Sequence, residues 1–206
     1  SEVDIVGTTA EVLEGNFKIF IGSKKAIDDQ DKMLNDTKVA CARKYFIPSC
    51  VAKAVLSDEE KENGVALIEM GAGVTSVTIY HSGILRSYSA IPFGGKNMTS
   101  DIKYECGFKE SLAENIKLAY GACLPEKLHS LEEKILQIND DENGTYDKLP
   151  VKYLSEIISS RAEEILHAIL FLIQDSGYAD KLRNGVVLTG GCANLTGCAN
   201  FIKEIS

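Results

Sequence analysis

The 206 residues, 45% apolar and 25% charged, suffice for one large domain or two small ones around a true hydrophobic core. A formal charge of -8, with no cluster of Lys and Arg interleaved with aromatics, repels phosphate backbones and sets nucleic-acid binding aside. The longest apolar run, Ile165 to Ile173, is interrupted by His167 and falls far short of the roughly 20 residues that cross a bilayer.

The first residues, Ser-Glu-Val-Asp, carry neither the basic start nor the apolar stretch of a secretion signal, and the missing initiator Met reads as a segment of a longer protein. From Val12 to Gly22, turn chemistry at Glu14-Gly15-Asn16 and the alternation of Phe17, Ile19 and Ile21 predict a hairpin. A helix capped by Ser23 follows, with Ile27, Met33 or Leu34, and Cys41 on one stripe, before Pro48 punctuates the chain. A short apolar segment from Cys50 to Leu56 then runs into a polar helical turn, Ser57 to Asn63, ended by Gly64.

Val65 to Ile68 reads as a strand covered on both faces, Val74 to Tyr80 as a second and Ile84 to Phe93 as a third that closes on Gly94-Gly95. Together they predict an antiparallel meander. Helices are expected at Thr99 to Cys106, stopped by Gly107, and at Ser111 to Ala119, where Ser111-x-x-Glu114 matches a capping box. Lys134 to Ile138 can pair with the segment after Asn139-Asp-Asp-Glu-Asn-Gly144. Val151 to Ser176 has the strongest helical period, with Leu154, Ile157, Ile158, Ala162, Ile165, Ile169, Leu172 and Ile173 on one face. A short strand, Gly185 to Thr189, and a helix from Asn194 onward complete the pattern.

The six cysteines (Cys41, Cys50, Cys106, Cys123, Cys192, Cys198) form no Cys-x-x-Cys pair and are expected as reduced, buried thiols, which favours the cytoplasm. His81, His129 and His167 have no metal-ligand spacing.

Two glycine loops sit at the carboxyl ends of apolar strands, where open α/β sheets place ligands. Glycine lets backbone N-H groups approach phosphate oxygens. In the first, Gly71-Ala72-Gly73-Val74-Thr75-Ser76, the glycines lead into a strand and not into the helix that a Rossmann fingerprint needs, and no Walker A sequence occurs. A plain structural hairpin competes with phosphate binding there. The second, Thr189-Gly190-Gly191-Cys192-Ala193-Asn194, leads from strand to helix and suits either an anion at a helix N-terminus or a tight connection with Asn194 as N-cap.

Taken together, an acidic residue ending a strand, a Gly-x-Gly hairpin, a long helical insertion and a Thr-Gly-Gly strand end resemble one lobe of the actin, sugar-kinase and heat-shock-chaperone superfamily. Within it the chain is similar to the bacterial cell-division FtsA family. The segments are Leu-Ser-Asp-Glu-Glu-Lys-Glu-Asn-Gly-Val-Ala-Leu-Ile (56 to 68), Ile-Pro-Phe-Gly-Gly-Lys-Asn-Met-Thr-Ser-Asp-Ile (91 to 102), Ala-Glu-Asn-Ile-Lys-Leu-Ala-Tyr-Gly (113 to 121) and Gly-Val-Val-Leu-Thr-Gly-Gly-Cys-Ala-Asn-Leu (185 to 195), with Leu-Glu-Gly-Asn-Phe-Lys-Ile (13 to 19) resembling the end of subdomain 1C.

That resemblance implies an α/β fold: an actin-like ATPase (ribonuclease H-like) lobe with an inserted α+β subdomain. It implies a remnant of subdomain 1C at 1-45, a connecting helix at 46-63, subdomain 2A at 64-103 and 181-206, and subdomain 2B at 104-180. It also implies ATP with Mg2+ as cofactor. Gly71, Gly73, Val74 and Thr75 would hold phosphate; Glu114 and Lys117 would flank purine and ribose; Gly190, Gly191, Cys192 and Asn194 would complete the adenosine side. Glu69 would hold a magnesium-bound water, but Glu replaces the family's Asp there, and Ser76 replaces a second Asp, which implies at most weak ATPase activity in the intact protein and none in this segment by itself.

By the same resemblance the partners are the FtsZ C-terminal tail, contacted by residues of 104-180, further copies in a filament, and later division proteins. The location is cytoplasmic and peripheral on the inner membrane face at the division site, through an amphipathic helix beyond Ser206. A sugar or acid kinase, or a DnaK-type chaperone, is the alternative within the same superfamily; no carboxylate base accompanies the loops as a kinase would need.

Overall fold

The computed structural model describes residues 7–9, 11, 12, 14, 15, 17–123, 134–138 and 147–205. The chain falls into two units, Ser1–Tyr45 and Phe46–Ser206.

In the first unit the element that forms is the one with a cap: helix α1 (Lys24–Asp36), whose Ser23 hydroxyl accepts from the Ala26 N-H. Thr37 ends it, and Lys38 turns away with a φ of 57°. Cys41 is therefore beyond the helix and exposed, not on its stripe. No residue of α1 is buried. The expected hairpin at 12 to 22 contains no strand among the described residues, and Phe17, Ile19 and Ile21 are exposed. Alternation offers a face, but a strand forms only against a partner.

The second unit opens with α2 (Ile47–Val55), where Pro48, expected to punctuate the chain, sits in the first turn and starts a helix; the connecting helix expected at 46-63 is thus two short helices. Helix α3 (Asp58–Asn63) carries a reciprocal capping box between Ser57 and Glu60. Strands β1 (Val65–Met70), β2 (Thr75–His81) and β3 (Ile84–Ile91) form the meander. Helices α4 (Gly95–Cys106) and α5 (Glu110–Tyr120), the hairpin β4 (Ile135–Ile138) with β5 (Asp147–Pro150), and helix α6 (Val151–Asp175) follow. Strand β6 (Val186–Thr189) returns parallel to β1, giving the sheet order β3-β2-β1-β6, and α7 (Cys198–Ile205) closes the chain.

Period 2 in β1 divides the core. Val65 and Leu67 pack with Ala52 of α2 and its C-cap Leu56 on one face, while Ala66 and Ile68 pack with Ile169 and Ile173 of α6 on the other. This explains why β1 reads as an unbroken apolar run: both faces are covered. The amino half of α6, through Leu154, Ile158, Ala162 and Ile165, gathers Ile102 of α4, Ile116 of α5, Leu136 of β4 and Phe201 of α7. Ile157 and Leu172, expected on the same stripe, are only half-buried.

Three expectations shift. Helix α4 starts at Gly95 and not at Thr99, with the Asn97 side chain accepting from the Gly94 N-H at 2.9 Å. Lys109 is the N-cap of α5, so Ser111 and Glu114 lie inside the helix and form no capping box. Asn194 ends a short 3-10 turn (Gly191–Asn194), and α7 begins only at Cys198, so Asn194 does not cap it. Among the cysteines Cys123, Cys192 and Cys198 are buried, Cys106 is half-buried, and Cys50, like Cys41, is exposed; all six are free thiols. His129 and residues 139–144 lie outside the described residues.

Candidate functional site

The hairpin between β1 and β2 is closed by the Gly71 N-H donating to the Val74 carbonyl at 3.0 Å. Two of its other carbonyls are gripped by the start of α4: the Gly95 N-H donates to Gly71 O at 3.0 Å and the Lys96 N-H to Ala72 O at 2.7 Å. The positive end of that helix thus serves the loop. With its carbonyls turned to the helix, the loop keeps the N-H groups of Ala72 and Gly73 out of any backbone hydrogen bond among the described residues. Successive uncommitted amides in a glycine turn are the makings of an anion nest. The close approach depends on Gly94, where a Cβ would lie 2.8 Å from the Ala72 carbonyl and collide with that of Gly71. From the sequence alone Gly94-Gly95 reads only as the end of β3. The signal was present as a glycine pair, but its partner lies some twenty residues upstream.

Glu69, Gly71, Gly73 and Val74 line one open cleft of about 370 Å³ with Ala72, Ser76, Tyr88 and Pro48. Glu69 is half-buried and faces Ser76 in the β1-β2 register. Thr75 is different: it is fully buried between β1 and β3 and its hydroxyl donates to the Phe93 carbonyl at 2.8 Å, so its side chain does not face the cleft. Among the described residues no group of three or more His, Cys, Asp or Glu is placed to hold a metal. A single carboxylate beside an anion nest fits a Mg2+ ion that takes most of its oxygens from phosphate and water.

Glu114 and Lys117 come together one helical turn apart on α5 and line a second cleft of about 500 Å³ with Ala72, Lys96, Thr99 and Ser111. Lys117 is only 6% exposed. Its ammonium donates to the Gly95 carbonyl at 2.9 Å, to Thr99 Oγ1 at 2.8 Å and to Glu114 Oε2 at 2.7 Å, which engages all three of its hydrogens. Thr99 in turn donates to Glu114. Burial opposes ionisation of Glu114, but the hydrogen bonds from Lys117 and Thr99 outweigh it and hold its pKa below the usual value.

The second glycine loop is a crossing point. Gly190 has a φ of 93°, and a Cβ there would lie 2.5 Å from the Met70 carbonyl, so this glycine answers the close pass of β6's end over β1's end. Cys192 is buried, and its thiol donates to the Gly71 carbonyl at 3.5 Å, tying one loop to the other; burial pushes its pKa up. Gly191 and Asn194 line a third cleft of about 240 Å³ with Leu118, Gly121, Lys134 and Leu195. The expected site residues thus surround three neighbouring clefts, with Ala72 shared by the first two, while Gly190, Thr75 and Cys192 occupy the packing between them.

The meander with a returning parallel strand and a helical insertion superposes on MreB5 of Spiroplasma citri, solved with ADP, at a TM-score of 0.73 and 19% identity, covering 89% of this chain and 59% of that one. A double helical filament of MamK matches at a TM-score of 0.55 and 13% identity over 71% of this chain and 46% of that one. The fold is that of the actin-like ATPases. The profile of the family described as "Cell division protein FtsA" matches residues 66–206. The FtsA proteins of Neisseria meningitidis serogroup B and Borreliella burgdorferi are 30% and 33% identical over 97% and 98% of this chain. The chain belongs to the FtsA family. It spans about half the length of the curated relatives it matches, 48% of each of these two.

Proposed function

We propose that this chain supplies the nucleotide-binding lobe of an FtsA-type protein that binds ATP with Mg2+, assembles with further copies of itself, and tethers FtsZ to the inner face of the cell membrane during division. Residues 64-103 and 181-206 make subdomain 2A, 104-180 make subdomain 2B with the contact for the FtsZ C-terminal tail, and 1-45 belong to subdomain 1C. Later division proteins are further partners of the whole protein, whose membrane attachment is peripheral.

One observation carries the nucleotide reading: α4 anchors the carbonyls of Gly71 and Ala72, while the amides of Ala72 and Gly73, beside Glu69, make no backbone hydrogen bond among the described residues. Phosphate oxygens would accept from those amides, and Glu69 with Ser76 would hold the water shell of the ion. The adenosine would extend toward α5, with Glu114 at the ribose and the Gly190 to Asn194 segment beside the base. MreB5 has been solved with ADP and with AMPPNP, which supports a nucleotide in this fold. Hydrolysis needs a preorganised carboxylate, and the longer Glu69 arm opposite a serine is suited at most to slow turnover.

Gly73→Asp tests the reading, because a Cβ at Gly73 meets nothing within 4 Å and the fold should survive. The added carboxylate would repel phosphate. Calorimetry should show ATP binding by the parent chain and its loss in the variant at unchanged thermal stability; equal affinity in both would overturn the proposal.

A further inference from the structure

The hydrogen bonds around Gly95 form a continuous line from α5 to the phosphate loop. The Lys117 ammonium holds the Gly95 carbonyl at 2.9 Å, and the N-H of the same residue holds the Gly71 carbonyl at 3.0 Å. Thr99 Oγ1 and Glu114 Oε2 take the other two hydrogens of Lys117, so the ammonium is fixed from three sides and has none left for a ligand. A buried cation with every donor satisfied is a structural anchor, and its removal would take from the Gly95 carbonyl and the Glu114 carboxylate their charged donor, leaving one Thr99 hydroxyl between them. The Gly71 carbonyl is also the acceptor for Cys192, so the same point receives the second glycine loop.

We propose that Lys117 is a positioning residue: it sets the amides of Ala72 and Gly73 through Gly95 and Gly71, and it does not itself contact purine or ribose. This rests on the nucleotide reading above and gives Lys117 a different role within it. Neighbouring hydrogen bonds polarise one another, so a charged donor at one end stiffens the bond at the other. Thr99 belongs to the same device, because it orients the ammonium between Gly95 and Glu114.

The test compares Lys117→Met, Thr99→Val and a control, Lys103→Met, whose ammonium pairs at 3.4 Å with Glu110 away from this line. In the ligand-free chain, amide NMR shifts of Gly95 and of Gly71 to Val74 should move in Lys117→Met and stay in place in the control. With ligand, affinity for ATP should fall about tenfold more than affinity for adenosine, the size of one charged hydrogen bond acting on the phosphates alone. Equal losses for ATP and adenosine would make Lys117 a direct ligand and overturn the proposal, as would unmoved loop amides. Leu154→Ala, which loosens the core, should leave the ATP-to-adenosine ratio unchanged; a similar drop there would reduce Lys117 to general stability and also overturn it. Where Lys117→Met fails to fold, Thr99→Val decides on the same two readouts, with a smaller ratio change. If the parent chain binds no ATP, the nucleotide reading falls, and the ligand-free shifts alone decide whether α5 sets the loop.

Discussion

At Gly73 an added Cβ would meet nothing within 4 Å, whereas at Gly190 it would sit 2.5 Å from the backbone carbonyl of Met70. The two loops look alike as strings of glycine at strand ends, yet one is open at its tip and the other is a point of steric clearance between adjacent strands. In the first glycine run the N-H groups of Ala72 and Gly73 make no backbone hydrogen bond among the described residues; the second lets β6 pass β1, and its Cys192 reaches back to hold the Gly71 carbonyl. Glycine in a loop therefore has two readings, and the nearest non-local atom decides between them.

The largest effect should come from Gly190→Ala. A positive φ and a backbone collision act together, so unfolding in urea should show a loss of about 3 kcal/mol or more. Gly94→Ala comes next: its Cβ would press on the Gly71 and Ala72 carbonyls, costing about 1–3 kcal/mol and also displacing the loop, so ATP affinity should fall with stability. Cys192→Ala removes a buried thiol and its weak bond to Gly71, for about 1 kcal/mol by thermal unfolding, and measures how far the two loops depend on each other. Gly73→Ala should leave stability within about 0.5 kcal/mol. If Gly73→Ala proved as damaging as Gly190→Ala, the contrast between the loops would collapse.

The smallest effect concerns pH. Glu114 has a folded pKa below its unfolded value, so its stabilising contribution is present above the unfolded carboxylate pKa and is lost as pH falls through the folded one. The difference in stability between the parent and Glu114→Gln should therefore be full near neutrality and shrink in acid. Amide exchange should show the first loop loosening in that range, since Glu114 reaches it through Lys117 and Gly95; Gly190, outside this line, should be unaffected.

Helix α1 and helix α6 show how much of the fold was legible. Both have a helical apolar stripe and both formed, but α6 buries Leu154, Ile158, Ala162, Ile165 and Ile169, while α1 buries nothing. Local capping and period suffice to place a helix; burial requires another element to cover the stripe. The strands were legible wherever turn residues and covered faces coincided, as in the β1-β2-β3 meander. The hairpin expected at 12 to 22 had the alternation without the cover.

What the amino-acid sequence determined by itself was local or carried by likeness: the order of strands and helices in the second unit, the two glycine loops, the carboxylate at Glu69 and membership of the FtsA family. The tertiary structure alone decided which loop amides make no backbone hydrogen bond among the described residues, that Gly94 and Gly190 are present for clearance, and that Thr75, Lys117 and Cys192 are held by protein acceptors. The reason is sequence separation. The Lys117 ammonium finds its acceptor 22 residues away at Gly95, and the Cys192 thiol finds its own 121 residues away at Gly71. Periodicity and capping act over a few residues, whereas a hydrogen bond across such a distance exists only once the sheet and α6 have brought its two ends together.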